Sequence, residues 1–84
     1  MTPVQTVQQL INILMATIPS YKQEFWSADT ELFGAIAEFD SMAIVTIIGE
    51  IEDQFDVVFD DDDISAENFH SVATLADLVL EYSN

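Results

Sequence analysis

Eighty-four residues, half of them apolar and only two each Gly and Pro, suit one small globular domain near the lower size limit for a core without covalent staples. Sixteen acids against a single Lys or Arg give a formal charge of −15, which disfavours nucleic acid and anionic lipid and favours basic protein surfaces. With no cysteine, disulfides and thiolate chemistry of the chain's own are excluded, and any thioester needs sulfur from an added group.

The chain opens on a helix signal. Thr2 is placed as a cap, Pro3 takes the first helical position where its missing N–H does no harm, and Gln5 completes a capping box. Val4, Val7, Leu10, Ile11, Leu14 and Ile18 recur at three- and four-residue steps and predict one apolar stripe over residues 3–18, ended by Pro19. This helix lacks the basic start of an export signal, and no run reaches the ~18 apolar residues of a membrane span, so a cytoplasmic protein without membrane insertion is expected.

Residues 19–40 carry no sustained period. Tyr21, Phe25, Trp26, Leu32, Phe33, Ile36 and Phe39 supply enough apolar surface to hold such a loop down on a bundle, with Asp29 or Thr30 capping a short turn into Leu32 and Phe33. The loop ends at Phe39-Asp40-Ser41-Met42, the most specific stretch of the sequence. Asp40 reads as the N-cap of a second helix, over 41–55, and Ser41 takes its first position with the hydroxyl at the solvent end. Asp-Ser before an apolar run is also an ordinary helix start. Unpaired N–H groups and aligned peptide dipoles make that end favourable to a phosphate ester on Ser41. At 100° per residue, Ile44, Ile48, Ile51 and Phe55 share a core-facing sector with Ile47 beside them. Met42, Val45, Gly49, Glu52 and Asp53 fall on another sector, with Thr46 close by. As residues alone, Met42 and Val45 could be single exposed apolar side chains of no consequence.

Four consecutive aspartates, Asp60 to Asp63, invite a calcium loop, but an EF-hand frame ending at Glu67 puts Val58 at its third position and Asp61 at its sixth, where an acid and a glycine are required. A solvated acidic loop is the expectation, with weak, diffuse divalent binding as the alternative and no dedicated metal site. Ser65 is placed as the cap of a short helix through Phe69, and Ser71 as the cap of a last helix over 71–82, with Val72, Leu75, Ala76, Val79 and Tyr82 as its stripe and Leu78 at the edge. Pairing Ser41 with His70, the only histidine, as nucleophile and base lacks an orienting acid or oxyanion hole, and His70 reads as the end of the short helix. The predicted fold is all-α, a small four-helix bundle of three main helices and one short one, with residues 1–84 as a single domain.

Asp40-Ser41-Met42 resembles the Asp-Ser-Leu signature of acyl and peptidyl carrier proteins, in which the serine carries 4′-phosphopantetheine. The likeness extends to Leu32-Phe33-Gly34 before the motif, to Glu50-Ile51-Glu52-Asp53-Gln54-Phe55 after it, and to the acidic loop and last helix beyond. The resemblance implies a non-catalytic protein. A phosphopantetheinyl transferase would join the arm of coenzyme A covalently to Ser41, with Asp40 as the helix cap beside it. The arm's thiol would hold an acyl group as a thioester. It also implies a partner face for acyl-loading and acyl-consuming enzymes with basic patches, made by Met42, Val45, Thr46, Gly49, Glu52 and Asp53, with Phe59 beyond the helix. A bacterial, monomeric carrier for a specialised lipid or secondary biosynthetic pathway is the resulting expectation. The segment Leu32 to Met42 looks in particular like carriers that accompany exosortase and exopolysaccharide systems of Gram-negative bacteria. This chain departs from the common pattern with Glu38 where most carriers have Gly, Met42 for Leu, and Ala43 and Thr46 where many fatty-acid carriers have acids.

Peptidyl or aminoacyl carriers share the motif, and only the acidity favours an acyl carrier. An unmodified acidic adaptor for a basic protein accounts for the charge but not for Asp40-Ser41 at an apolar helix head. One consequence follows from charge alone: with one cation among sixteen acids, self-repulsion weakens the fold and salt relieves it. The melting temperature is expected to be higher in ~0.5 M NaCl than in ~0.01 M, where the Debye length is about 30 Å; an unchanged or lower value would refute this.

Overall fold

A computed structural model describes residues 3–37 and 39–83, and the expected cap Thr2 and the departure at Glu38 lie outside the described residues. Three α-helices carry the structure: α1 (Pro3–Thr17), α2 (Ser41–Phe55) and α3 (Val72–Ser83). Short 3-10 turns at Gln23–Phe25 and Asp61–Asp63 punctuate the connections. Helix α1 packs against both α2 and α3. The core runs through Leu10 and Leu14 of α1, Ile47 and Ile51 of α2, and Val72, Leu75 and Val79 of α3, all shut off from solvent.

The periodic stripes place these helices well, with corrections at their edges. Ile18 still donates its N–H to Leu14 O, so the apolar stripe reaches it although α1 ends at Thr17, one residue before the residue that Pro19 forces out of helical geometry. Val4, expected in the stripe, is exposed, while Thr6 and Ile13 are buried. On α2, Ile47, Ile51 and Phe55 form the buried face, and Ile44 and Ile48 pack against it partly covered. The α3 stripe is buried as expected except at Tyr82, which is half-buried at the margin.

The long connection from α1 to α2 is ordered by two means. Trp26, Leu32, Ile36 and Phe39 are buried, Trp26 included although the sequence left its place open, while Phe25 and Phe33, counted among the residues that could hold the loop down, stay exposed. Tyr21 stacks on Phe25 at 4.2 Å between ring centroids, and Trp26 meets Phe25 edge-on at 5.1 Å. The second means is backbone pairing with the chain that enters α3. Leu32 N–H donates to His70 O at 2.7 Å and Phe33 N–H to Phe69 O. In the other direction Val72 donates to Thr30 O and Ala73 to Ala28 O, around a single antiparallel bridge between Glu31 and Ser71. Thr30 organises the turn before it rather than the one after, since its hydroxyl accepts from Ser27 N–H and donates to Phe25 O. Gly34, at φ +86°, sits in the turn where Ala35 and Ile36 both return to Leu32 O, a backbone position that suits a residue without Cβ.

The expected short helix over 65–69 is a single turn instead. Ser65 Oγ accepts from Asn68 N–H and Phe69 N–H returns to Ser65 O, but the pattern does not propagate. Ser71 and Thr74 then cap α3 reciprocally: Ser71 Oγ accepts from Thr74 N–H, and Thr74 Oγ1 from Ser71 N–H. At the acidic loop, the Tyr82 hydroxyl accepts from Asp60 N–H and donates to Asp63 Oδ2. Among the described residues no group of three or more His, Asp or Glu is placed to hold a metal ion, and no helix is long and apolar enough to cross a membrane.

Two consequences are measurable. Asp56 closes α2 in the left-handed region, at φ 56°, with its own N–H and that of Val57 both on Glu52 O. A side chain there is strained relative to glycine, so Asp56→Gly is expected to stabilise the fold by about 1 kcal/mol in urea unfolding. The bond to Asp63 favours the neutral phenol of Tyr82 and holds its pKa above the usual value against the opposing bond from Asp60 N–H, with further upward pressure from desolvation and the Asp60 and Asp63 charges. A group raised on folding stabilises below its unfolded pKa of about 10, and that contribution is lost as pH rises through the folded value. Alkaline absorbance titration should therefore show the component removed by Tyr82→Phe titrating above pH ~10. That variant should also show a shallower loss of stability at high pH.

Candidate functional site

The start of α2 is built so that its first side chain stays free. Asp40, extended at φ −97° and ψ −174°, turns its carboxylate inward along the helix and takes Ala43 N–H at 2.9 Å, while Asp40 O accepts Ile44 N–H. The cap thus uses the aspartate and spares the serine. Ser41 is exposed, and as first-turn groups the N–H of Ser41 and of Met42 have no intrahelical carbonyl to reach. The hydroxyl carrier therefore stands beside unspent backbone donors at the positive end of a fifteen-residue helix.

Three hollows meet at Ser41. One of about 310 Å³ lies between α2 and the 64–69 segment, with Phe33, Ile44, Ile64 and Phe69 among its walls. A second, of about 480 Å³, is lined by the loop from Phe33 to Asp40. The third, of about 320 Å³, runs outward over Met42, Val45 and Thr46. A further hollow of about 510 Å³, between α1 and α2, is lined by Asn12, Ala16 and Glu50 and does not include Ser41.

The predicted partner face is only partly a surface. Met42 at 80% and Val45 at 70% exposure stand fully proud of α2, and Thr46, Gly49 and Asp53 are exposed with them. The Thr46 hydroxyl turns back to Met42 O. Glu52 is half-buried and its Oε2 accepts Phe59 N–H at 3.0 Å, so it fastens the chain after α2. Phe59 is a correction: at 6% exposure it packs edge-on against Tyr82 inside the fold, because Glu52 and Tyr82 draw the backbone on either side of it inward. Conversely, Phe33 and Ile64, 48% and 38% exposed, form the rim of the Ser41 hollow and were not expected there. Phe33 was counted among the residues that could hold the loop down. A lone Ile directly after four aspartates was the signal for the other. His70 reaches Glu31, at 4.0 Å, and lines a separate hollow with Ala66, Glu67 and Thr74. Nothing in this arrangement makes it a base for Ser41.

This combination, a small three-helix bundle with an exposed serine heading its second helix, is the architecture of a carrier domain. The family profile described as "Phosphopantetheine attachment site" matches residues 8–79. The solution structure of a holo acyl carrier protein from Nitrosomonas europaea superposes with a TM-score of 0.77 at 37% identity, covering 92% of this chain and 93% of that one. None of the curated proteins compared matches this chain. The chain therefore belongs to the phosphopantetheine-binding carrier family, is acyl-carrier-protein-like, and is a carrier rather than an enzyme. Its partners, in general terms, are a phosphopantetheinyl transferase and the enzymes of a pathway.

The structure fits the family's prosthetic group on its own terms. The Ser41 hydroxyl is open to a transferase, unspent N–H groups suit a phosphodiester, and hollows beside it leave room for the arm.

Proposed function

We propose that Ser41 Oγ is the attachment atom and that this chain is an acyl carrier protein. Attack of the hydroxyl on the phosphorus next to the pantetheine unit of coenzyme A forms a serine phosphodiester, and adenosine bisphosphate leaves with the other phosphate. The transferase supplies the base; this chain supplies an exposed nucleophile and a helix end that tolerates the new negative charge. The bound group supplies a thiol that holds an acyl chain as a thioester. Asp40 keeps the first turn of α2 wound through its bond to Ala43, so the attachment point stays fixed on a rigid element while the arm swings. Tethering raises the local concentration of the cargo at each partner's active site.

The observation that carries this reading is the exposure of Ser41 at the point where three hollows meet. The apolar walls of the 310 Å³ hollow, Ile44 and Phe69 among them, favour an acyl over an aminoacyl cargo. We read residues 1–84 as one cytoplasmic, monomeric carrier unit whose loading and unloading enzymes bear basic patches, a reading that the charge of −15 supports. The segment Leu32 to Met42, together with the absence of acids at Ala43 and Thr46, supports a specialised carrier of the kind that accompanies exosortase and exopolysaccharide systems.

Incubation with coenzyme A and a broad-specificity phosphopantetheinyl transferase tests this directly by intact mass. The expected outcome is one phosphopantetheine on the wild type and none on Ser41→Ala. A wild type that stays unmodified while displacing DNA from a basic protein would instead make it an acidic adaptor.

A further inference from the structure

Thr46 belongs to two hollows at once. It lines the outward one that begins at Ser41 and passes Met42 and Val45, and it also lines the groove of about 510 Å³ between α1 and α2. Through this shared residue a path leads from the serine toward the α1 side of α2, although the groove itself does not include Ser41. On α2 the groove is lined by Thr46, Glu50 and Gln54, which stand about 8, 14 and 20 Å along the axis from Ser41. Asn12, Ile13, Ala16 and Thr17 of α1 form the other wall.

The chemistry of this groove differs from that of the hollows at Ser41. Side-chain amides and hydroxyls line it, and Glu50 is the one charged residue among them. Asn12 Oδ1 takes Gln8 Nε2 at 3.2 Å, which leaves the Asn12 NH2 group as a donor. Glu50 Oε2 accepts Gln54 Nε2 at 3.4 Å, which leaves the second carboxylate oxygen as an acceptor. The hydroxyls of Thr17 and Thr46 donate to Ile13 O and Met42 O, so each has acceptor lone pairs left to offer. Gln9 Nε2 reaches across to Gln54 Oε1 at 3.3 Å and ties the two helices at the end away from Ser41.

We propose that the α1–α2 groove is a binding site for the pantetheine arm in its unloaded form. The proposal rests on the reading of Ser41 as the attachment residue. Pantetheine is an uncharged chain with one hydroxyl, two amides and a terminal thiol. From phosphorus to sulfur it has about thirteen chain atoms, the reach of roughly four extended residues, or ~15 Å. That reach spans the way from Ser41 to Thr46 and Glu50 and falls short of Gln54. Asn12 offers a donor to the amides, and Glu50 and the two threonines offer acceptors. The hollow against the 64–69 segment offers little of this, since Ser65 is its one polar side chain besides Ser41, and Ser65 Oγ already takes Asn68 N–H. In the loop hollow the one polar side chain besides Ser41 is Asp40, held by Ala43. Amides drawn into either would lose water without replacement. An aliphatic cargo has the opposite preference, so the groove holds the empty arm and gives it up on acylation.

The experiment records two-dimensional amide NMR spectra of the apo protein and of the same protein loaded by a phosphopantetheinyl transferase. Loading shifts the neighbours of Ser41 wherever the arm lies, so the diagnostic signals are the backbone amides of Ile13, Ala16 and Glu50 and the Asn12 side-chain NH2. These are expected to shift on loading, and the arm's paired methyl groups to show nuclear Overhauser contacts with the methyl of Ala16 or Thr46. Two variants, each checked by thermal melting, test the cause. Ala16→Phe fills the groove from an exposed position, and Asn12→Leu with Glu50→Leu removes its polar partners. In both, the shifts at Ile13 and at residue 16 are expected to vanish while those at Met42 and Ala43 remain. Octanoylation of the wild-type arm is expected to return the groove signals to their apo positions. The wild-type shifts and contacts decide the matter by themselves if a variant does not fold. Loading shifts confined to residues 40–45, arm contacts with Phe33, Ile64 or Phe69 before acylation, or groove shifts that survive the variants or the octanoyl group would overturn the proposal. A wild type whose mass never changes would strike the attachment reading itself, and so is distinguishable.

Discussion

The structure depends on a short length of backbone pairing that no side-chain pattern announces. The loop leaving α1 must travel more than twenty residues before α2 begins, and ordering so long a connection has a large entropic cost. Pairing of residues 28–33 with 69–73 pins its middle to the entrance of α3, through bonds such as Leu32 N–H to His70 O and Val72 N–H to Thr30 O. With that strap in place Leu32 is fully buried, Phe33 is turned outward as a wall, and Ile36 and Phe39 can close the core above α2. Ser41 follows immediately. Its position is thus set jointly by a helix start and by a strap that ties the loop to the far end of the chain.

Charge is distributed with equal consequence. The first acid is Glu24, so α1, which lies against both other helices, contributes no charge to the self-repulsion of a strongly acidic molecule. The acids gather instead after the midpoint of α2 and in the Asp60–Asp63 loop, where Tyr82 ties Asp63 and the Asp60 backbone to α3. Separation of acids from the buried packing lets a small core tolerate a charge it could not hold if the acids were spread over every helix.

The helices were legible in the sequence because their apolar residues repeat with the helical period, and the bounds of α2 follow directly from Asp40 as cap and Phe55 as the last core residue. That Ser41 would stand exposed at the head of α2 was legible for a related reason, a cap followed by a hydroxyl at the first helical position. What periodicity could not reveal lies in the irregular chain. Phe25, Phe33 and Trp26 are chemically alike as sequence, and only the strap and the ring stacking decide that Trp26 goes in while the other two stay out. Phe59 looks like an exposed neighbour of an acidic loop until Glu52 and Tyr82 are seen holding the backbone around it. The 65–69 segment has a helix cap but only one turn, since Ser71 begins a new helix almost at once.

Trp26 carries a last implication. Its Nε1 is buried with no hydrogen-bond partner among the described residues, so the indole is held by edge-on ring contacts with Tyr21 and Phe25 rather than by that polar group. It is also the sole indole in the chain. The near-ultraviolet emission of the whole molecule is therefore a built-in gauge of one segment, and its colour registers whether the connection ahead of Ser41 is seated or has lifted into water.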